Sequence, residues 1–420
     1  MYTKYFFTLI VVITFLFPMQ YAFASQEVPS TDALVQQIGA LQKYVQKIKA
    51  RLGLAQYETL DDSVIRDSIL QGTKWLVASQ EDSGHFAYEY EPYKDSYLGG
   101  DNIVRQAGAL FALSEVARRD VSGDEERTEA IENAITYFET LSPEHDYEGT
   151  SVRCLTKNKT SNVCMLGATA LALSGILGYV EANPEKGSEY EELIEKYLTF
   201  ILTSKKPDAG FLDEYRLNIG FRSEKESSFS NGESLLALVR YYQHNPRTDV
   251  KEVIEDTFAY IEHKEFDTPL YLWAMAALKD MHAMWPDETY VAYAQKFTTW
   301  RMDSLRRNHG TIRNYCASTE GLASAYSVLE NNIDPVLLRQ LRSEIDFWNA
   351  KNFDLQIMEG DTYRLVPENG QVVLTSVIDM PQSQGGFLTA DDELTQRIDF
   401  TQHCVSTYLQ TLVDIDGKTL

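Results

Sequence analysis

The sequence predicts an all-α (α/α)6 barrel, a toroid of six helical hairpins with an N-terminal leader helix. Six times a segment with one apolar face is followed by a loop rich in Gly, Tyr, Asp and Arg, then by a segment apolar almost all round and crowded with Ala. A helix with one apolar face covers something, whereas a helix apolar all round must itself be surrounded, so six of each imply two concentric layers. The spacing between pairs is irregular, which favours one closed domain over an open solenoid of helical pairs capped by polar repeats.

The chain opens with MYTKYFFTLIVVITFLFPMQYAFA, which carries a lysine, about a dozen apolar residues, and Ala22 and Ala24 at small-residue cleavage positions. Residues 1–24 therefore read as a signal peptide cut before Ser25. The alternative is an uncleaved anchor, although Pro18 and the short apolar run make a poor span. No Cys directly follows the run, which argues against a lipoprotein. Residues 25–60 form a leader and linker, in which Thr31 to Leu54 places apolar residues at helical spacing. That helix packs on the barrel or on a partner, and the barrel is the preferred reading.

Residues 61–420 form the toroid. Its amphipathic members begin near Ser63, Thr128, Ser188, Asp249, Glu288 and Asp334, several opening with Ser, Thr or Asp and early Glu, which satisfy the free amides of a helix start. Their apolar partners are AGALFALSEVAR after Asp101, MLGATALALSGILGYVEA, GESLLALVRYYQ, LYLWAMAALKDMHAMW, STEGLASAYSVLE and FTQHCVSTYLQTLVDI. In a closed barrel every outer-to-inner connection lies on one rim, where the inner helices present their N-terminal amides and positive dipole ends. Those connections are long and polar, whereas the opposite ones, such as NPEKG and QHNPRTD, read as turns.

The formal net charge is −24, and the signal segment holds Lys4 and no acid, so the rest is more acidic still. Such a field repels nucleic acid and anionic lipid. No later stretch approaches the twenty or so apolar residues of a membrane helix, so the sequence predicts a soluble periplasmic or secreted protein with no stable membrane insertion after cleavage. Of four cysteines, Cys154 and Cys164 bracket RCLTKNKTSNVC and are expected to form a disulfide there. Cys316 and Cys404 open the fifth and sixth inner segments, where a bridge and free buried thiols are both open. Asn158 lies in N-K-T, a glycosylation signal in a host that glycosylates.

Three rim loops share a phrase: SQEDSGHF at Ser79–Phe86, SKKPDAGF at Ser204–Phe211 and PQSQGGF at Pro381–Phe387, with a weaker echo, SLRRNHGT, at Ser304. A Gly past a helix end permits the left-handed cap, and the following aromatic folds back onto the barrel. The phrase resembles the Q-x-x-x-G-x-aromatic turn of terpenoid cyclases and protein prenyltransferase β subunits. The six-pair plan resembles the six-hairpin glycosidases, over roughly Ser63 to Ile415. The resemblance implies an (α/α)6 toroid with a central cavity. The D-x-D-D signature of squalene-type cyclases is not evident, nor is an Asp/Cys/His set at prenyltransferase spacing, so a terpenoid-cyclase-like enzyme ranks third.

The residues expected to face the mouth are Asp101, Asn102, Arg105, Ser230, Asn231, Glu233, Asp267, Arg313, Asn314, Glu320, Arg397, Asp399, Gln402 and His403. Tyr88, Tyr90, Tyr93, Tyr97, Tyr215 and Tyr315 accompany them, offering flat faces with polar tips that suit sugar rings. Glycoside hydrolysis needs one protonated and one ionised carboxyl group, and Asp101, Glu233, Asp267, Glu320 and Asp399 are the candidates; Asp101 and Glu320 lead, followed by Glu233 and Asp399. For each acid the plain alternative is an N-cap or first-turn role in its own helix.

A guanidinium near a helix start gains nothing from the dipole, so Arg105, Arg222, Arg313 and Arg397 either clamp an anionic ligand or pair with nearby carboxylates. If they clamp, an acidic sugar and lyase or epimerase chemistry follow, with His403 and Tyr315 as bases. The expected substrate contacts are Arg105, Arg313, Arg397, Tyr90, Tyr97, Asn102, Asn231 and Gln402. The seven histidines show no paired metal spacing, leaving zinc on Cys316, Cys404 and a histidine as the weaker alternative. With no phosphate-cradling glycine loop and no G-x-S-x-G, the sequence calls for no cofactor. It favours an exported glycan-active enzyme, a glycoside hydrolase or a lyase or epimerase of acidic sugars. The rival is a non-catalytic toroid that binds a glycan or another small or oligomeric ligand.

Overall fold

One-faced and all-round apolar segments separate into two helical layers in a computed structural model that describes residues 30–52, 54, 57–120, 123–368 and 371–420. The expected signal peptide lies outside the described residues. The leader α1 (Thr31–Arg51) comes first. Six pairs follow, outer helix first: α2 (Asp62–Ala78) with α3 (Ile103–Arg119), α4 (Glu125–Thr140) with α5 (Leu166–Ala182), and α6 (Gly187–Thr203) with α7 (Ser228–His244). Then come α8 (Thr248–Glu262) with α9 (Thr268–Met284), α10 (Glu288–Arg306) with α11 (Cys316–Leu329), and α12 (Pro335–Phe353) with, after the short α13 (Met380–Ser383), α14 (Ile398–Leu409).

The two layers differ as the pattern requires. Outer α4 buries one stripe, Ala130, Ile131, Ala134, Ile135 and Phe138, whereas every residue of inner α5 from Leu166 to Val180 is buried. The inner helices touch in the order α3, α5, α7, α9, α11, α14, and α14 returns to α3, so the ring is closed and the open solenoid is excluded. Small residues let them approach. A Cβ on Gly108, Gly167, Gly232 or Gly321 would lie 2.2, 2.0, 2.6 or 2.7 Å from Gln402, Glu233, Trp273 or Tyr271, each on a neighbouring inner helix.

Five of the barrel helix starts are capped by short polar side chains. Asn102 accepts from the amides of Val104 and Arg105, and Asp124, Asp267, Asp287 and Asp334 cap α4, α9, α10 and α12. The repeated rim phrase has a physical reason as well. The amides of Phe86, Phe211 and Phe387 donate to Gln106, Asn231 and Thr401, each the fourth residue of its inner helix, and Leu155 donates to Thr169 in the same way. Gly84 and Gly385 take the left-handed turn at φ +83° and +94°, but in Ser204–Phe211 that conformation falls on Ala209, at φ +72°, rather than on Gly210.

Short strands that no alternation announces dress the rim: β1 (Glu89–Glu91), β2 (Ser96–Leu98), β3 (Glu144–Tyr147), β4 (Thr150–Arg153), β5 (Val163–Met165), β6 (Glu214–Arg216) and β7 (Phe221–Arg222). In the last connection β8 (Tyr363–Glu368) and β9 (Gln371–Ser376) form a hairpin, and β10 (Gln396–Arg397) pairs with β1. The leader α1 packs beside β8 and is tied down by a 2.6 Å ion pair from Lys43 to Asp361.

The end of the barrel opposite the rim is filled. Phe111 on α3 meets Trp273 on α9, directly across the ring, with centroids 6.0 Å apart. Below them Glu115 pairs with Arg118, Arg119 and Arg240; Arg240 also pairs with Asp280, and Lys279 and Arg119 with Asp414. Burial opposes ionisation of Glu115, but Arg240, Arg118, Arg119 and Lys279 hold its carboxyl well below the usual range. The cavity left among these groups is about 10 Å3, room for about one water molecule. Two disulfides complete the frame. Cys154–Cys164 closes its rim loop, and Cys316–Cys404 joins the starts of α11 and α14, so no cysteine is free among the described residues.

Candidate active site

The inner-helix starts deliver four groupings to the rim and the upper lumen. One is a histidine–carboxylate pair: His403 Nδ1 lies 2.7 Å from Glu320 Oε2, and the indole of Trp273 is 6.0 Å from the imidazole. Glu320 lies in the second turn of α11 and His403 in the second turn of α14, brought together by neighbouring helices that the Cys316–Cys404 bridge also fixes. Burial pushes the Glu320 carboxyl up, and His403 pulls it partly back. His403 Nε2 has no hydrogen-bond partner among the described residues, and the side chain keeps 15% of its surface exposed. Held through Nδ1, an imidazole is oriented to exchange a proton at Nε2.

The second grouping is a buried acid. Glu233 on α7 is 2% exposed, lies against the Cα of Gly167 on α5, and has no hydrogen-bond or ion-pair partner among the described residues. Burial first, and then the charge of Asp213, push its carboxyl up to about 8. Asp213 itself accepts from Ser230. Glu233 is therefore mostly protonated at neutral pH, the state a general acid needs.

One turn above His403 on the same face of α14, Asp399 pairs with Arg105 at 3.1 Å and Arg397 at 2.6 Å, both guanidinium groups lying over the Tyr88 ring. The fourth grouping, His85, Asp101 and Gln106, stands at the outer side of the rim. His85 Nε2 lies 3.3 Å from Asp101 Oδ1, Gln106 donates to the same oxygen at 2.9 Å, and the His85 ring packs against Tyr137 of outer α4. Its hydrogen bond with Asp101 raises His85 against the effect of burial. Burial also works against ionisation of Asp101, but His85, Gln106 and the Asn102 amide outweigh it and leave that carboxyl lowered.

The expected mouth is thus sorted by depth. Glu233, Glu320, Gln402 and His403 lie on the inner wall, with Gln402 against Gly108. Asn102 and Asp267 cap their helices, and Asn231 holds Phe211 and Glu226, so these three are engaged in building the rim. None of the four arginines stands unpaired: Arg105 and Arg397 meet Asp399, Arg313 meets Glu393 at 2.9 Å on the surface, and Arg222 lies over Tyr147, Phe200 and Tyr215 while donating to Ser204 and Thr203. Tyr90 is 1% exposed and bonds Asp95, Tyr97 is 51% exposed beside it, and Tyr315 leans on Trp348. Trp273 and Phe111 lie inside apolar segments and His85 in a rim loop, so residue type alone singles out none of the three. His85 alone carried a signal, its place before the aromatic of a repeated phrase.

Among the described residues no group of three or more His, Cys, Asp and Glu is disposed to hold a metal ion, and Cys316 and Cys404 are bonded to each other. No helix among the described residues is long and apolar enough to cross a membrane.

No family model and no curated protein matches the sequence. Solved structures do match in fold. A family 76 α-mannanase of Bacteroides thetaiotaomicron superposes with a TM-score of 0.57 at 11% identity, over 84% of this chain and 96% of that one. A D-mannose isomerase gives 0.60 at 14%, over 84% and 98%. A cellobiose 2-epimerase of Spirochaeta thermophila gives 0.56 at 13%, over 92% and 100%. Hydrolases and sugar isomerases alike share this architecture, and the chain has the (α/α)6 toroid fold of the six-hairpin enzymes.

Proposed function

We propose that the chain is an exported carbohydrate-active enzyme that transfers a proton on a neutral sugar, with His403 as acid–base group, Glu320 as its positioning residue and Glu233 as a neutral acid. The observation that carries this reading is the His403–Glu320 pair beside Trp273, on the wall where the inner helices begin. Removing the proton from the carbon beside a sugar carbonyl gives an enediol, and returning it to the other face or to the neighbouring carbon gives an epimer or an isomer. One imidazole and one carboxylic acid supply that traffic without a metal. Acidic sugars lose their support, because the arginines that suggested them are engaged within the protein. Export rests on the N-terminal segment and on two disulfides, which belong to an oxidising compartment.

A second reading is glycoside hydrolysis, favoured by one observation: Asp101 is held ionised while Glu233 is held protonated. Proton NMR in D2O with mannose, cellobiose and α-1,6-mannotetraose separates the two. Sugars of these kinds belong to the names of the structural neighbours. Proton transfer predicts deuterium entering at C2 of mannose or of the cellobiose reducing end, with a loss of about 10²- to 10⁴-fold in His403→Asn. Hydrolysis predicts shortened mannotetraose that depends on Asp101 and Glu233 and not on His403. No turnover of any of the three favours the binding protein.

A further inference from the structure

The leader helix leaves part of its apolar side exposed. Leu34, Ile38, Leu41, Val45, Ile48 and Leu52 follow one another at intervals of 4, 3, 4, 3 and 4 residues, the heptad repeat of a coiled-coil seam. In the fold the stripe is exposed at its ends, Leu34 at 43%, Ile38 at 55% and Leu52 at 66%, with Leu41, Val45 and Ile48 part-buried between them. The neighbouring Val35 is 62% exposed. The opposite side makes the attachment, through buried Ala40 and Lys47 and the Lys43–Asp361 ion pair. A helix tethered to its own barrel by its polar side, with three large apolar residues of its seam exposed and three half-covered, leaves that seam open to a partner.

We propose that α1 is a dimerisation helix whose seam pairs with the same seam of a second copy of this chain as a short parallel two-stranded coiled coil. The residue choice specifies that partner. The a positions are Ile38, Val45 and Leu52 and the d positions Leu34, Leu41 and Ile48, so a β-branched residue leads at a and leucine leads at d, the two-stranded parallel preference. The flanking positions pair without repulsion, Gln37 of one copy beside Gln42 of the other and Tyr44 beside Lys49. Three heptads are short for an isolated coiled coil. Here the barrel already holds α1 helical, so association does not have to order it. A bilayer surface fits less well, because Lys43 and Lys47 face the protein and the chain carries a net charge of −24.

The test uses residues 25–420. Sedimentation equilibrium across a concentration series gives a two-chain mass, and Leu34→Asp with Ile38→Asp raises the dissociation constant about a hundredfold or more with unchanged far-UV circular dichroism, since both side chains are exposed in the single chain. Because the four native cysteines are paired, Leu34→Cys adds the one free thiol among the described residues and oxidises to a covalent dimer, whereas Lys74→Cys on exposed α2 surface does not. A one-chain mass for the wild type at every concentration overturns the proposal, as does a double variant that still dimerises. Wild-type flotation with phosphatidylglycerol vesicles, abolished by the same pair of substitutions, overturns it in favour of a membrane surface.

Discussion

Replacing Glu233 with glutamine should shift the stability of the fold relative to the wild type by an amount that becomes more favourable as pH rises. The carboxyl is wedged between α5 and α7, 2% exposed, against the Cα of Gly167 and without a partner. It ionises near 4.5 in the unfolded chain and near 8 in the native one. Between those values the native state holds a proton the unfolded state has released, so stability conferred by the neutral acid is full below pH 4.5 and is lost as pH rises toward 8. The loss is about 1.4 kcal/mol per pH unit, which amounts to about 3 kcal/mol at pH 7 and about 5 kcal/mol across the window. Glutamine has nearly the same shape and no charge to release. Its amide adds a constant offset of about 1–3 kcal/mol for unpaired donors, so the diagnostic is the slope and not the intercept. Urea unfolding of both proteins from about pH 5 to about pH 8 measures it, other titrating groups cancelling in the difference. A difference that stays flat, or that shrinks with pH, would show that the carboxyl is solvated or paired and would remove it as a neutral acid.

Other perturbations separate the contributions to the frame. Breaking Cys316–Cys404, which spans 88 residues, should cost about 4–5 kcal/mol in denaturant unfolding, and breaking Cys154–Cys164, which spans 10, about 3 kcal/mol or less. Gly385→Ala should lower stability by more than about 2 kcal/mol, because φ is +94° and a Cβ would lie 2.0 Å from the Gln71 carbonyl oxygen; a thermal midpoint equal to the wild type's would contradict the turn. Asp101→Asn should cost under about 1 kcal/mol, chiefly at pH values between the lowered Asp101 carboxyl, below which the pair is protonated away, and the raised His85 imidazole. His85 is raised by Asp101, so the ion-pair part of the difference is lost as pH rises through the raised histidine value, leaving in alkali only what the Gln106 and Asn102 hydrogen bonds to Asp101 contribute.

The toroid was legible because layering is a matter of apolar pattern: the all-buried run Leu166–Val180 cannot sit on a surface, and the one-sided α4 cannot sit inside. The rim was legible as a place but not in detail. Asp267 and Asn102 could be read as caps or as site residues, and only coordinates tell that both cap. The arginines were ambiguous for the same reason, since sequence places Arg105 and Asp399 almost three hundred residues apart and only ring closure brings α14 against α3. The short rim strands pair across different hairpins, as β1 does with β10, and leave no local alternation to detect. Trp273 reads as core in an apolar helix; its place beside His403 follows from reaching across the lumen. The leader helix packs on its own barrel, as preferred, but through the side that carries Ala40, Lys43 and Lys47, which the apolar spacing does not indicate.

The central claim, that His403 held by Glu320 exchanges protons with a bound sugar, is tested most directly by solvent deuterium incorporation. Wild-type protein in D2O should place deuterium at C2 of mannose or of the cellobiose reducing end, His403→Asn should slow the exchange about 10²- to 10⁴-fold while unfolding at the wild-type midpoint, and Glu320→Gln should shift the pH profile of the exchange. Exchange that persists undiminished in His403→Asn would contradict the account.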